Sequence, residues 1–413
     1  LTHSMPEPNA IAVRTPLGTI FHTGDWKFDP DPVIGDVTDM DGLKALGKEG
    51  VLALIGDSTN VFVDGTSGSE ASLLSHLTEL IGNCTGKVAV ACFASNVARL
   101  KTIFDAATAN GRAVALVGRS LWRMNAAARE TGYLSDLPSF LEPGVAANLD
   151  DEDVLYICTG SQGEPRAALT RIAAGDHRDV ELGEGDTVIF SSRHIPGNEL
   201  AIGRLQNRLA LKGIEVINDH NGNVHVSGHP ARDELIKMYQ MIRPKIAIPV
   251  HGEPRHLLKH VELAKACQVP ETILVQNGSM VKLAPDTAGI IDDVDVGRFA
   301  LEGNRLHPME GDVVRDRSRI MYNGSAVLTL VLDEGGNIVG EPKLTAHALI
   351  DEDEEPYILE MLTERIDEAL DVLSEDELDD DEAVGEAARI AIRREFREKV
   401  GKRPLVTVHV VRV

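Results

Sequence analysis

The sequence predicts an α/β protein, and three observations carry that reading. Short apolar runs bounded by turn residues recur through roughly the first 300 residues, and most are followed by a stretch with helical spacing of its apolar side chains. Polar clusters then stand at the carboxyl ends of the runs: Thr23-Gly24-Asp25, Gly56-Asp57-Ser58-Thr59-Asn60, Thr159 to Pro165, Ser191-Ser192-Arg193-His194 and His251-Gly252-Glu253. Largely parallel sheets are built this way, and they gather ligands at the carboxyl ends of their strands. With 43% apolar residues in 413, the chain can bury two or three cores.

In order, Ile20 to His22, Val51 to Ile55, Val88 to Phe93, Ala113 to Val117, Val154 to Cys158, Val188 to Phe190, Ile214 to Ile217 and Ile246 to Val250 read as buried strands. Ser95 to Ala109 and Asn198 to Lys212 read as helices. Pro230 in a first turn, followed by Leu235, Ile236, Met238, Tyr239 and Ile242, predicts a helix over 230–242. From about Asp312 to Leu349 the pattern turns β-rich, with Ala326 to Leu332 entering a hairpin at Glu334-Gly335-Gly336-Asn337. Two amphipathic helices, Tyr357 to Leu373 and Ala383 to Val400, and a strand from Leu405 to Val413 make a small α/β tail.

The net charge of -24 speaks at first against a nucleic-acid ligand, whose phosphates are bound by Lys and Arg. Its distribution changes the inference. Between Asp351 and Glu382 there are 17 acidic residues and one basic residue, Arg365, so the other 381 residues carry about -8 and leave room for a basic groove. Such an acidic run most simply makes a solvated linker or surface. No apolar run approaches the roughly 18 residues of a membrane span, and no signal peptide is visible, which predicts a cytoplasmic protein with no membrane partner. Cys84, Cys92, Cys158 and Cys267 are widely spaced with no Cys-x-x-Cys pair, as expected of reduced, packed thiols.

The residues that carry chemistry lie at the predicted strand ends. His229 precedes Pro230 at the amino end of the 230–242 helix, where free N–H groups, the Ser227 hydroxyl and the close approach allowed by Gly228 suit a phosphate. The same serine and histidine would also serve as ordinary helix caps. His251 ends a strand and faces a loop, a common position for a metal ligand, and equally for a surface histidine. Asp25 ends another strand, where a carboxylate can bridge two cations, and His3 lies shortly before it. Asp57, at the next strand end, can fix the tautomer of His229 and make it a general acid; alternatively Asp57, Ser58 and Thr59 form a simple Asx turn. No phosphate-binding G-x-x-x-x-G-K-[ST] loop or G-x-S-x-G nucleophile elbow occurs.

These motifs together resemble the metallo-β-lactamase superfamily, its β-CASP branch, and within it the ribonuclease J family, over nearly the whole chain. Thr2-His3-Ser4-Met5-Pro6 resembles the third metal motif and His22 to Asp29 the fourth, whose aspartate bridges the metals. Gly56 to Asn60 is similar to the acidic β-CASP motif, Ser227-Gly228-His229 to the second, and Pro249-Val250-His251-Gly252-Glu253 to the third. Phe93 to Asn96, Thr159 to Pro165 and Ile195 to Glu199 resemble further ribonuclease J signatures. A histidine at 251 resembles RNA-directed members, where DNA-directed ones carry valine.

The resemblance implies a metallo-β-lactamase-like αββα sandwich, residues 1–64 and 225–345, interrupted by a β-CASP domain at 65–224 and followed by a linker and C-terminal α/β domain at 346–413. It implies an RNA-degrading and RNA-maturing phosphodiesterase, acting endonucleolytically and 5′ to 3′ from a monophosphate end of single-stranded RNA. Two Zn(2+) ions, or Mn(2+) or Mg(2+), would be held by His3, Asp25 and His251 together with further ligands. Asp57 and His229 would assist the leaving oxygen, and Ser227, Gly228, His229, Ser192 and Arg193 would contact RNA phosphates. It also implies a homodimer or homotetramer and membership of an RNA-decay complex. The superfamily's first metal motif, His-x-His-x-Asp-His, occurs nowhere in these residues. The expectation is therefore a sandwich incomplete at its amino end and a chain that by itself is inactive. Two rivals stand beside this reading: another hydrolase of the superfamily, such as a tRNA 3′ processing nuclease, and a non-catalytic RNA-binding or scaffold protein.

Overall fold

The structure, a computed structural model, describes residues 1–350 and 356–413. The first residues of the acidic run, 351–355, lie outside the described residues. The chain forms two compact units, Leu1–Val294 and Asp295–Val413.

The first unit holds two five-stranded sheets. One is built from β1 (Ile11–Thr15), β2 (Gly18–His22), β3 (Ala53–Asp57), β9 (Ile246–Val250) and β10 (Glu271–Thr272), in that spatial order. Only the β1–β2 pair is antiparallel. The other sheet is wholly parallel, in the order β5 (Ala113–Val117), β6 (Val154–Cys158), β4 (Val88–Ala91), β7 (Thr187–Phe190), β8 (Glu215–Ile217). Every residue of β4, β6 and β7 is buried, as expected where helices cover both faces of a parallel sheet. A small hairpin of β11 (Ser279–Lys282) and β12 (Gly289–Asp293) follows.

Local chemistry fixes the helices around the first sheet. Helix Met40–Glu49 is capped by Asp39, whose carboxylate accepts the Gly42 N–H at 2.8 Å. Gly47 within it lies so close to helix Arg232–Ile242 that an added Cβ would stand 1.9 Å from the Met241 carbonyl oxygen, so no other residue fits there without moving a helix. Helix Arg232–Ile242 turns Leu235, Met238, Tyr239 and Ile242 inward onto Phe21, Trp26 and Leu54.

The second unit contains the hairpin β13 (Phe299–Glu302) and β14 (Arg305–Pro308), and a sheet in the order β16 (Lys343–His347), β15 (Ser325–Leu332), β17 (Leu405–Arg412). Alternate residues of β15, Ala326, Leu328, Leu330 and Leu332, face the core. They meet Ile358, Leu362 and Ile366 of helix Pro356–Leu370 and Val384, Ala388, Ile392 and Phe396 of helix Asp381–Lys399, both spaced to keep one apolar face.

Among the described residues no helix is long and apolar enough to cross a membrane. Two departures from expectation have physical causes. Residues 312–323 are helical and not β-rich. Arg315–Asp312 and Arg319–Asp316 ion pairs three residues apart support a solvent-facing helix with no buried residue. Strand β1 gave no clear signal because it is an exposed edge strand, with only Ala12 partly covered.

Candidate active site

The first sheet brings together three chain segments at the carboxyl ends of β2, β3 and β9. Strand β3 runs two residues further than its apolar run, so that Asp57 is its last residue, paired in register with Val250 of β9. His251 follows immediately, with φ 55°, a left-handed backbone conformation rare for a residue with a side chain. The two turns are tied: the Ser58 N–H donates to the His251 carbonyl at 3.3 Å and the Thr59 hydroxyl lies 3.0 Å from His251 Nδ1. That hold allows the strained backbone to persist.

Asp57 is 1% exposed, and its two oxygens divide the work. Oδ1 accepts the Thr59 N–H at 2.9 Å and the Thr59 hydroxyl at 2.7 Å, which is the Asx turn foreseen as the plainer alternative. Oδ2 lies 2.7 Å from His229 Nδ1, so the turn and the carboxylate–imidazole pair coexist. Burial pushes the Asp57 carboxyl up, but hydrogen bonds from His229 and His251 outweigh it and hold the group well below the carboxylate range, ionised. His251 Nδ1 stands 3.2 Å from Asp25 and 3.3 Å from Asp57. The hydrogen bond to Asp57 raises the His251 pKa, with burial opposing it.

Ligand atoms of Asp25, Asp57, His229 and His251 all lie within 4.8 Å of one another. Two carboxylates and two imidazoles converging on one half-exposed spot are a donor set for a divalent ion of the zinc or manganese kind, which takes nitrogen and oxygen ligands together. These residues fit such an ion.

His3 lies beside that group and not within it. Its Nδ1 donates to the Gly228 carbonyl at 2.6 Å, which leaves Nε2, 3.3 Å from the Ser4 hydroxyl, as the unprotonated nitrogen of a neutral ring. Burial lowers its pKa, favouring that neutral form. The rings of His3, His229 and His251 form a row with centroids 5.1 and 5.2 Å apart. Thr2 straps His3 in place: its hydroxyl donates to the Lys27 carbonyl at 2.7 Å and accepts the Asp29 N–H at 2.9 Å. The buried Lys27–Asp29 pair at 2.9 Å anchors that loop.

Gly228 is needed as glycine, because a Cβ there would stand 2.6 Å from the His3 ring. The Ser227 hydroxyl accepts Asn60 Nδ2 at 2.8 Å and the His229 N–H at 3.2 Å. Helix Arg232–Ile242 begins three residues after His229, and Glu234 closes its amino end by accepting the Ala231 N–H at 2.9 Å. Arg193 donates to Asn60 Oδ1 at 2.9 Å and so joins the Ser227–His229 turn through one amide. Ser192 is 1% exposed and its hydroxyl accepts Gln162 Nε2 at 3.4 Å.

Three structurally central residues escaped the residue-by-residue reading. Asn60 lay inside a quoted motif without a role; it links Arg193 to Ser227 and also donates to the His229 carbonyl at 3.0 Å. Gln162 holds the 192–195 loop through the Arg193 carbonyl and the Ile195 N–H, both at 2.9 Å. His260, fully buried, supports Ser58 from behind at 2.9 Å and sits 2.9 Å from the Tyr239 hydroxyl. Asn and Gln within glycine-rich loops were the available signal; His260 on an apolar helix face offered none.

Comparison with known proteins identifies the family. Residues 85–209 match the model of the ribonuclease J β-CASP domain, 215–272 that of the zinc-dependent metallo-hydrolase RNA specificity domain, and 312–413 that of the ribonuclease J C-terminal domain. The chain is 39% identical to ribonuclease J of Sinorhizobium meliloti over 100% of its own length and 73% of that protein. It is 37% identical to ribonuclease J of Mycolicibacterium smegmatis, over 100% of this chain and 74% of the relative. Ribonuclease J of Thermus thermophilus is 36% identical over 81% of this chain and 59% of its own. The fold is the α/β class expected of the metallo-β-lactamase-like and β-CASP modules, and the chain belongs to the ribonuclease J family.

Proposed function

We propose that this chain is a metal-dependent ribonuclease that hydrolyses RNA phosphodiester bonds, both 5′ to 3′ from a monophosphate end and internally. The single observation that carries the reading is the convergence of Asp25, Asp57, His229 and His251 beside the Ser227-Gly228 turn, in a chain of this family. In this reading 1–64 and 225–345 form the lactamase-like part, 65–224 the β-CASP insertion and 346–413 the linker and C-terminal domain. The protein acts in the cytoplasm as a homodimer or homotetramer, within an RNA-decay assembly. The ribonuclease J matches lend nothing to the rival hydrolase or scaffold readings.

Asp25, His251 and His3 would hold the metal, with two Zn(2+) per complete site or Mn(2+) or Mg(2+) in their place. When bound, the metal supplies charge neutralisation at the phosphate and activation of water. The chain's own residues do the rest. Asp57, held ionised, accepts from His229 Nδ1; with the ring as an imidazolium, Nε2 would pass its proton to the departing oxygen and leave a neutral ring whose Nδ1–H stays on Asp57. Ser227, Gly228 and Arg193 orient the phosphate, with Ser192 bracing the Arg193 loop.

The test is zinc content and cleavage of a 5′-monophosphorylated RNA by the complete protein and by His251→Ala. Loss of both is expected; a variant that keeps its zinc and its activity removes His251 from the site and sinks the reading.

A further inference from the structure

We propose that helix Asp381–Lys399 and the turn after it carry a binding site for the RNA phosphate backbone, separate from the cleavage residues. This rests on the ribonuclease reading above. The second unit is acidic overall, yet between Arg389 and Arg403 there are seven basic side chains and two acidic ones. Arg393, Arg394, Arg397, Glu398 and Arg403 line a concavity of about 580 Å³.

The two acids do not neutralise it. Glu395 is 2% exposed and faces Arg365 at 3.3 Å, and Glu398 pairs with Arg394 at 3.0 Å. Among the described residues, the guanidinium groups of Arg393, Arg397 and Arg403 have no carboxylate or hydrogen-bond partner. Arg397 and Lys399 lie in the last turn of the helix, where cations complement the helix dipole, and that accounts for them individually. It does not account for Arg393 one turn earlier, or for Arg403 beyond the helix end, converging on the same hollow.

Like charges gathered without counterions repel, and they are retained where an anion is to be bound. A polyanion with repeated phosphates suits several planar guanidinium forks at once. The acidic stretch of the same chain is the competing occupant. It ends at Glu382 on the same helix, yet its described carboxylates do not pair with these three arginines; Asp381 pairs instead with Arg412 and Glu368 with Arg365.

The test measures binding of a long single-stranded oligouridylate to the full chain in chelator, so that no cleavage occurs, across a range of salt. The triple variant Arg393→Ala, Arg397→Ala, Arg403→Ala should weaken binding at least about tenfold near 0.1 M salt and lower the log–log salt slope by about 2, for three phosphates at roughly 0.7 each. A control variant removing three arginines already paired and outside this stretch, Arg315→Ala, Arg317→Ala, Arg319→Ala, should leave affinity and slope unchanged. Equal losses in the two variants, or an unchanged slope in the first, overturn the proposal. So does a first variant that binds RNA normally but loses oligomer mass, which would give the hollow to the acidic segment of a second copy. Failure of the unaltered chain to bind oligouridylate is a different result, and it overturns the ribonuclease reading itself.

Discussion

Two polar clusters of the first unit contain the same kinds of group and differ in what those groups are left to do. Around Arg99 every charge is answered. The guanidinium is 0% exposed, pairs with Glu70, and donates to the Ser191 hydroxyl at 2.7 Å and the Ser191 carbonyl at 2.9 Å. Glu70 is fastened through its N–H to Asp29 at 2.9 Å. Around Asp57 the balance is open: two carboxylates and three imidazoles crowd a half-exposed surface, and Asp25 is 43% exposed, with His251 Nδ1 at 3.2 Å as its ion-pair partner. A saturated buried pair braces a fold, whereas an unsaturated cluster at the surface can take a cation and a phosphate. Chemical type alone does not separate structure from function here; the number of unmet donors and acceptors does.

That contrast can be broken most sharply at the open cluster. Replacing Asp57 with Asn in the complete protein should leave RNA cleavage undetectable while the thermal midpoint moves little, because the amide can keep the Asx turn. Retained cleavage, followed by gel assay, would make the cluster another brace. The closed cluster should respond in the opposite manner. Arg99→Ala leaves Glu70 buried and unpaired and should cost about 3–5 kcal/mol in a urea melt. An effect under about 1 kcal/mol, the ordinary value of an exposed pair, would show that the Arg99 pair is not a brace.

A third expectation concerns pH. Burial drives the His260 pKa down to about 4 from its ordinary 6.5, so between those values the unfolded chain binds a proton that the folded chain refuses. Stability is therefore full above pH 6.5 and falls as the pH drops toward 4, by about 3 kcal/mol for a shift of that size. His225, held well below its ordinary value by burial and by neighbouring Arg99, adds a loss of the same sign. Urea melts at neutral and mildly acid pH check this, and a drop of equal size in His260→Asn would assign it to other groups. A smaller effect is placed at Gly228, where alanine must displace the His3 ring; zinc affinity should weaken by about tenfold to a hundredfold, the usual result of disturbing a ligand's support. Unaltered affinity, measured by competition with a chelator, would detach His3 from the site.

The α/β class, eight strands and the helices that follow them were legible because buried parallel strands are continuous apolar runs and their helices repeat near 3.6. The exposed strand β1 and the charged helix 312–323 were not, since neither buries a face strong enough to mark its period. In the site, the sequence pointed to Asp25, Asp57 and His251 as strand-end residues, to His229 at the amino end of a helix, and to Ser227-Gly228 as a turn. It also treated an Asx turn and a hydrogen bond to His229 as alternatives for Asp57, and its two carboxylate oxygens make both contacts at once.

What the sequence determined by itself was the set of elements and the residue types at their ends, because hydrophobic period and turn chemistry are local properties. Only the tertiary structure decided which ends meet. Asp57 reaches His229 across 172 positions and His3 reaches Gly228 across 225, and neither distance leaves a trace in local pattern. The tertiary structure also decided that Arg99 is enclosed and fully paired while the Asp25–His251 pair stays half-exposed, since saturation depends on partners that arrive from elsewhere in the chain.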